Sequence, residues 1–220
     1  FMHSSHCYQC GRCFASSIIS QKSLSLMKSR RYLKSLSLHL CILASVFWVP
    51  ASWSASLFSE RYDHQIEQAA ERYLPGYDWR LWKAQLYQES RLESDAVSPV
   101  GARGLAQFMP ATWAEVTAQL KMGDVSPHAA KPAIIAGAYY QGRMIRIWRS
   151  PRPAADRYSL GAASYNAGAG NIIKSQKECD GKLLYSEIIE CLPHVTGRHA
   201  DETTTYVERI WRYYAQLLSR

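Results

Sequence analysis

Apolar side chains recur at intervals of three and four residues through most of this chain, and that is the period of an amphipathic helix. In the stretch 78–89, Trp79, Trp82, Leu86 and Glu89 follow one another at this spacing. No segment shows the sustained alternation of apolar and polar residues that is typical of a strand. The sequence therefore predicts an all-α, mainly helical fold.

Cap and turn residues divide the pattern into separate helices. The predicted starts are a cap at Ser59, a cap at Asp78, Pro110 in a first turn, Pro132, Ala154 and about Glu202, and the last helix reaches Leu218. A glycine within a helix costs about 1 kcal/mol relative to alanine. We therefore expect close helix contacts at Gly137 and Gly142, which lie within one predicted helix.

The basic residues are distributed unevenly. The chain has 26 Lys and Arg against 18 Asp and Glu, and residues 1–55 contain six of the basic residues and no acidic one. Residues 56–220 therefore carry 20 basic and 18 acidic groups, a net charge of +2. A domain this close to neutral lacks the positive field of a protein that binds phosphate backbones, so we predict no nucleic-acid partner.

Residues 27–55 have the order of an export signal: a basic start, a mostly apolar run at 36–49, and then small residues. The run is shorter than the ~20 residues of a membrane span. We therefore predict residues 1–55 to be a non-mature upstream segment with a signal peptide. Residues 56–220 would then form an exported, periplasmic domain.

Two cysteines lie in that domain, and export predicts an oxidising compartment. Cys179 and Cys191 are twelve residues apart and have no other partner there, which favours a local disulfide over two buried free thiols.

Three further cysteines at 7, 10 and 13 have no fourth metal ligand at a suitable spacing. The histidines of the domain (His128, His194 and His199) share no metal-ligand spacing either. We predict no metal and no cofactor.

Glu89 is the main candidate for chemistry. It lies on the core face of its predicted helix, where an unpaired carboxylate is costly to desolvate. A glycine-containing loop follows it at 98–107. The alternatives are an ion pair with Arg91 or Arg103, or simple exposure at the helix end.

Four motifs extend this observation. They are Gln88-Glu89-Ser90, Gly101-Ala102-x-Gly104-Leu105-x-Gln107-x-Met109-Pro110-x-Thr112, Tyr165-Asn166-Ala167-Gly168-x-Gly170 and Glu202-Thr203-x-x-Tyr206-Val207. In this order and spacing they resemble the catalytic domain of family 1 lytic transglycosylases, the soluble-lytic-type enzymes. The resemblance covers about residues 60–215 and implies a goose-lysozyme-like fold with a substrate cleft.

The resemblance also implies a role for individual residues. Glu89 matches the catalytic acid/base, and Ser98 matches a residue that contacts the substrate's N-acetyl region. Gln107 and Met109 match residues of the cleft wall. Tyr165 and Asn166 match a pair near the scissile bond, and Tyr206 matches the tyrosine of the last motif. Glu202 is expected to be structural.

There are two departures from the family pattern. Ala106 replaces a larger apolar residue, so a wider subsite wall is expected, and the segment 175–200 is longer than usual.

The implied activity is that of a peptidoglycan lytic transglycosylase, which cleaves the β-1,4 bond between N-acetylmuramic acid and N-acetylglucosamine and forms a 1,6-anhydro end. One alternative is a hydrolytic goose-type muramidase, with water positioned by Glu93 or Asp95. Another is a non-catalytic cell-wall-binding or assembly protein. The expected partners are peptidoglycan glycan strands and a secretion or conjugation apparatus, and a monomer is favoured.

Overall fold

The computed structural model describes residues 58–219, so the predicted signal segment and the cysteines at 7–13 lie outside the described residues. The helices are α1 (Asp63–Tyr73), α2 (Trp79–Ser90), α3 (Pro110–Gln119), α4 (Ala130–Ile147), α5 (Ala154–Ala167), α6 (Ala169–Glu178), α7 (Tyr185–Ile189), α8 (Leu192–Thr196) and α9 (Ala200–Leu218), with a 3₁₀ turn at Gly197–His199. Within residues 58–219 the extended pairing is limited to two isolated bridges, and both involve Arg103. The all-α prediction is confirmed. None of these helices is both long and apolar enough to cross a bilayer.

Helix α2 is the centre of the domain. Its residues 81–87 are all buried, and it packs against α1 on one side and α9 on the other. The predicted cap is confirmed, because Asp78 Oδ1 accepts the Arg80 backbone N–H at 2.9 Å. Burial on every side fixes the direction of the helix. Its last turn, which carries Glu89, therefore has a defined position at the edge of the core.

A buried cation lies in the first half of α2. The Lys83 side chain is 2% exposed, and its Nζ lies 2.5 Å from Asp63 Oδ1 in the first turn of α1. A buried ammonium is stable only when it is paired, so this ion pair ties α1 to α2.

Two glycines allow α4 to approach its neighbours closely. A Cβ atom on Gly137 would lie 2.7 Å from the Trp82 ring, and one on Gly142 would lie 2.4 Å from the Tyr73 carbonyl oxygen. Any side chain at either position would therefore force the helices apart. The expectation of close contacts at these glycines is confirmed.

Some predicted helix starts are wrong. Ser59 does not cap α1: its Oγ accepts the Arg61 N–H at 3.2 Å in a preceding turn, and the helix begins four residues later. Helix α4 begins at Ala130, two residues before the predicted start at Pro132, whereas α9 begins at Ala200, close to its predicted start at about Glu202. The short helices α6, α7 and α8 were not predicted, because their apolar repeats are too brief to show a period.

The segment 175–200 contains the end of α6 and the short helices α7 and α8. The structure joins Cys179, after the end of α6, to Cys191, before the start of α8, in a disulfide with a Cα–Cα distance of 5.8 Å. The buried Ser175 hydroxyl donates to the Ile188 carbonyl oxygen at 2.5 Å. The segment is therefore held both by a covalent bond and by buried polar contacts.

Candidate active site

A cleft of about 630 Å³ opens at the C-terminal end of α2. Its walls come from α2, the loop before α3, the end of α5 and the start of α9. The predicted acid and the six predicted substrate-binding residues all line it: Glu89, Ser98, Gln107, Met109, Tyr165, Asn166 and Tyr206. The fold thus brings into one site residues that are up to 117 positions apart.

Glu89 is held by a neutral partner. The Tyr206 hydroxyl, on α9, donates to Glu89 Oε1 at 2.5 Å. Burial raises the pKa of the Glu89 carboxyl to about 8, and the Tyr206 hydrogen bond, which lowers the pKa, opposes only part of this effect. With such a pKa the carboxyl is mostly protonated at neutral pH, as a general acid must be.

The sequence left open an ion pair between Glu89 and an arginine. No described residue forms such a pair with Glu89. Arg91 instead donates to the Tyr213 hydroxyl at 2.6 Å, and Arg103 is exposed. Without an ion-pair partner, only the Tyr206 hydrogen bond acts against the effect of burial on the Glu89 pKa.

The loop beside Glu89 is held through three consecutive carbonyl groups. The side-chain donors are Ser90 Oγ to Leu105 O (2.9 Å), Gln107 Nε2 to Gly104 O (2.9 Å) and Tyr165 OH to Ala106 O (2.7 Å). The donors come from the end of α2, from the loop itself and from α5. The polar groups of Gln107 and Tyr165 are therefore engaged in shaping the cleft wall.

Two further features fix this loop. Gly104 has a φ of +73°, and a Cβ atom there would lie 1.9 Å from the Pro127 carbonyl oxygen, so only glycine fits. Ser98 Oγ accepts the Ala102 backbone N–H at 3.0 Å and closes the turn that opens the loop. The glycine motif in the sequence thus reflects a steric requirement of the wall.

Ala106 has a different role from the expected one. Its side chain is fully buried, and a Cβ atom on Gly137 would lie 2.9 Å from it. The expectation of a wider subsite wall is wrong, because Ala106 does not line the cleft and its small size instead allows the loop to pack on α4.

Tyr165, which lines the cleft, packs against two other aromatic rings. The Tyr165 ring lies 5.1 Å from the Tyr140 ring and 6.2 Å from the Phe108 ring, measured between centroids. Burial and the nearby Glu89 charge raise the pKa of Tyr165 well above its ordinary value. Tyr165 is therefore a neutral hydrogen-bond donor.

Several cleft residues were missed by the sequence analysis: Gln88, Val100, Ala102, Asp201, Thr205 and Arg209. Asp201, Thr205 and Arg209 lie four residues apart on α9, so they share a helix face with the start of the last motif. That spacing was the available signal. Glu202, expected to be structural, also lines the cleft and has a side chain that is 72% exposed.

The two acids that the sequence offered for positioning water lie outside the cleft. Glu93 and Asp95 are exposed and do not line the cleft. Asn166, in contrast, is held in place, because its Oδ1 accepts the Thr203 hydroxyl at 2.8 Å. The carboxylates that share the cleft with Glu89 are therefore Asp201 and Glu202.

Known proteins resemble this chain in sequence and in fold. Residues 65–186 match the model of the transglycosylase SLT domain, which is more than half of the chain. The chain belongs to the transglycosylase SLT family. This SLT domain is 30% identical over 169 residues to a membrane-bound lytic murein transglycosylase F from Desulfosudis oleivorans, with 70% of this chain and 36% of the relative covered. It is 32% identical over 177 residues to the protein of the same name from Idiomarina loihiensis, with 68% and 37% covered.

Solved structures resemble the SLT domain as well. The lytic transglycosylase Slt of Pseudomonas aeruginosa, in an inactive variant with one glutamate replaced by glutamine, matches with a TM-score of 0.59 and 28% identity, covering 74% of this chain and 25% of that one. The 70 kDa soluble lytic transglycosylase of Escherichia coli matches with a TM-score of 0.59 and 23% identity, covering 72% and 24%. The fold is therefore lysozyme-like. The chain spans only about a third of the length of the curated relatives.

Proposed function

We propose that residues 56–220 form the catalytic domain of a peptidoglycan lytic transglycosylase. Its substrate would be the β-1,4 bond between N-acetylmuramic acid and N-acetylglucosamine, and its product a 1,6-anhydromuramic acid end. The observation that carries this proposal is Glu89, an acid with a pKa of about 8 that accepts a hydrogen bond from the Tyr206 phenol and lines the cleft of a chain that belongs to the SLT family. The relatives are named lytic murein transglycosylases, and the inactive Pseudomonas aeruginosa variant lacks one glutamate.

In the first step Glu89 acts as a general acid. Its Oε1 accepts the Tyr206 hydrogen bond, so the acidic proton belongs on Oε2, for which no described residue provides a hydrogen bond. That proton passes to the leaving glycosidic oxygen as the bond breaks. An oxocarbenium-like centre develops on the muramic acid ring, and the substrate's own acetamido group stabilises it.

In the second step Glu89 acts as a general base. The carboxylate takes the proton of the muramic acid 6-hydroxyl, whose oxygen attacks the anomeric carbon and closes the anhydro ring. Tyr206 stabilises the transient carboxylate, because a hydrogen bond to an ionised acceptor is stronger than one to a neutral acceptor. Glu89 ends protonated, and no water is consumed.

The other cleft residues would position the sugars. Met109 is 44% exposed and offers an apolar surface to a ring face, and Asn166, fixed by Thr203, offers its amide nitrogen. Gln107 and Tyr165 contribute indirectly, because their hydrogen bonds keep the cleft wall in shape, and Ser98 holds the turn that opens the loop. These contacts would orient the 6-hydroxyl for attack, which is the main requirement of an intramolecular displacement.

A hydrolytic muramidase is the second candidate, because Asp201 and Glu202 line the cleft with Glu89. Glycosidases that use water employ two carboxyl groups, and either of these acids could position the water molecule. Both belong to the exposed first turn of α9, and neither is desolvated as Glu89 is. The single-acid reaction is therefore preferred.

The setting of the enzyme follows from its substrate. We propose that residues 27–55 direct export to the periplasm. There the domain would act on glycan strands, and we propose that it does so as a monomer. We propose that its task is local opening of the wall for a secretion or conjugation apparatus.

The test is digestion of purified peptidoglycan by the full chain, followed by mass spectrometry of the muropeptides. We expect products lighter by one water than ordinary reducing ends. Glu89→Gln should lower their release by about a thousandfold, within the range for loss of a general acid. Glu93→Gln is the matched control, because that exposed acid lies four residues away and outside the cleft, and it should leave the rate unchanged.

Three outcomes would decide between the candidates. Anhydro products that require Glu89 support the proposal. Ordinary reducing ends would establish the muramidase and direct attention to Asp201 and Glu202. Binding of the wall without any product from the unchanged chain would refute both enzymatic candidates and favour a wall-binding role.

A further inference from the structure

A second cavity, of about 560 Å³, lies at the other ends of the helices that lead to the cleft. It is lined by the end of α1, the loop 74–77 before α2, the C-terminal part of α4 and the start of α5. It shares no lining residue with the cleft. Because α2 and α5 run from this cavity to Glu89 and Tyr165, the two sites lie at opposite ends of the same two helices.

The second cavity is positively charged. Arg146, Arg149 and Arg157 line it, and no described Asp or Glu does. Within residues 58–219 none of the three forms an ion pair. Arg157 is held in place, because its Nε donates to the Trp148 carbonyl oxygen at 3.1 Å.

A fourth arginine adds to this charge. Arg152 is partly buried, with its guanidinium 5.4 Å from the centroid of the Trp148 ring. Burial lowers the pKa of Arg152, and the neighbouring Arg157 charge lowers it further. Asp156, the acid that acts against this, also accepts the Tyr185 backbone N–H at 2.7 Å. Positive charge is therefore concentrated here, although residues 56–220 as a whole carry only +2.

The rest of the lining is suited to an apolar or ring-shaped group. Tyr73 and Tyr77, both half-buried, provide aromatic surface beside the arginines, and Trp148, which is 3% exposed, completes the aromatic part of the lining. The volume lies within the range of about 300–1,000 Å³ that is usual for small-molecule sites. A guanidinium binds a carboxylate through two parallel hydrogen bonds, and aromatic rings bind the apolar part of the same ligand.

We propose that this cavity binds a carboxylate ligand that carries an apolar or ring-shaped group. The carboxylate could belong to a free small acid or to an acidic peptide segment, since both present the same chemistry. An extended polyanion fits less well, because the cations surround one concave site in a nearly neutral domain.

Isothermal titration calorimetry on the full chain tests this proposal. The probes are N-acetylphenylalanine, its uncharged amide, the acetylated and amidated peptide Glu-Phe-Glu, and inorganic phosphate. We expect at least one carboxylate probe to bind, and the Arg146→Gln/Arg149→Gln double variant to bind it at least about tenfold more weakly, since each lost guanidinium removes a charge-assisted contact. Arg212→Gln, an exposed arginine on α9 outside both cavities, is the matched control and should bind as the unchanged chain does.

The probes also separate the two sources of the carboxylate. Binding of N-acetylphenylalanine as tight as that of the peptide indicates a free acid, and binding of the peptide alone indicates an acidic segment; both support the site. The proposal is overturned if no carboxylate probe binds, if the amide or phosphate binds as tightly, or if the double variant retains full affinity. Arg146 and Arg149 are exposed, and Arg149→Gln alone serves as the second variant if the double substitution disturbs folding.

Discussion

The two halves of helix α2 each carry an ionisable side chain shielded from solvent, Lys83 (buried) and Glu89 (half-buried), and the two side chains have opposite kinds of partner. In the first half Lys83 faces the carboxylate of Asp63, and in the last turn Glu89 faces the neutral hydroxyl of Tyr206. An opposite charge compensates for lost solvation, and a phenol compensates only in part, so burial raises the pKa of Glu89 to about 8. One helix therefore carries a stabilising ion pair and, about two turns later, an acid that stays mostly protonated at neutral pH.

The difference indicates where the fold gains stability and where it gives some up. Lys83 joins α1 and α2 through its ion pair with Asp63. Glu89 occupies a site where a charge would be unfavourable, which is the usual arrangement for a catalytic acid. Substitutions in the two halves can be compared directly, and we expect the largest effect from Glu89 itself.

The stability of the chain should depend on pH through Glu89. The carboxyl is neutral in both folded and unfolded chains below about pH 4.5 and ionised in both above about pH 8, so its contribution to the free energy of unfolding falls between these limits. Glu89→Gln should match the unchanged chain at pH 4 and exceed its stability by about 2–4 kcal/mol at pH 9. Urea unfolding at the two pH values measures this. Glu93→Gln is the control, and a constant difference for Glu89→Gln at both values would contradict the explanation.

Removal of the charge partner should destabilise the other half of α2. Asp63→Asn leaves the Lys83 ammonium buried without a carboxylate. We expect a loss of about 1–3 kcal/mol in the free energy of unfolding, less than for a fully buried pair because the Asp63 side chain is 28% exposed. Urea unfolding at pH 7 measures the loss. The Asp63→Asn/Lys83→Met double variant should recover most of it; a double variant as unstable as the single one would show that the ion pair is not the cause.

Removal of the phenol should move the pH dependence of activity. The unchanged chain should lose activity as the pH rises through about 8, because the reaction begins with protonated Glu89. The Tyr206 hydrogen bond lowers the Glu89 pKa, so Tyr206→Phe should move this alkaline limb upward by about one pH unit or less. The measurement is initial muropeptide release from pH 6 to pH 10. Tyr213→Phe serves as control, since that tyrosine lies on the same helix but contacts Arg91; an equal shift in both variants would mean that the limb reports unfolding.

The smallest effect is expected for the exposed acids of the cleft. Asp201→Asn and Glu202→Gln should each change muropeptide release by less than about threefold, since solvated charges contribute little. The rates of the two variants and of Glu89→Gln, measured side by side, check this. A loss for either exposed acid that approached the loss for Glu89→Gln would replace the single-acid mechanism by a two-carboxylate one.

Much of this molecule could be predicted from local patterns. The cap at Asp78 and the glycines of α4 were found because a cap and a close contact each require particular residue types at particular positions. The hydrogen bond between Glu89 and Tyr206 could not be derived from spacing, because tertiary packing alone brings together two residues 117 positions apart. Asp201 and Arg209 were missed for the same reason. The sequence shows that they share a helix face, but it does not show that this face lines the cleft. Ala106 was misassigned because a motif shows which residues occur together and not which way each side chain points.

The three hydrogen-bonded carbonyl groups of the loop affect the entropy cost of binding a sugar chain. Side chains from α2, α5 and the loop itself hold Gly104, Leu105 and Ala106, so this wall has its shape before any ligand arrives. Little conformational entropy would then be lost there on binding. With the wall already shaped, a glycan strand, the substrate proposed above, would bear most of the conformational-entropy cost of binding.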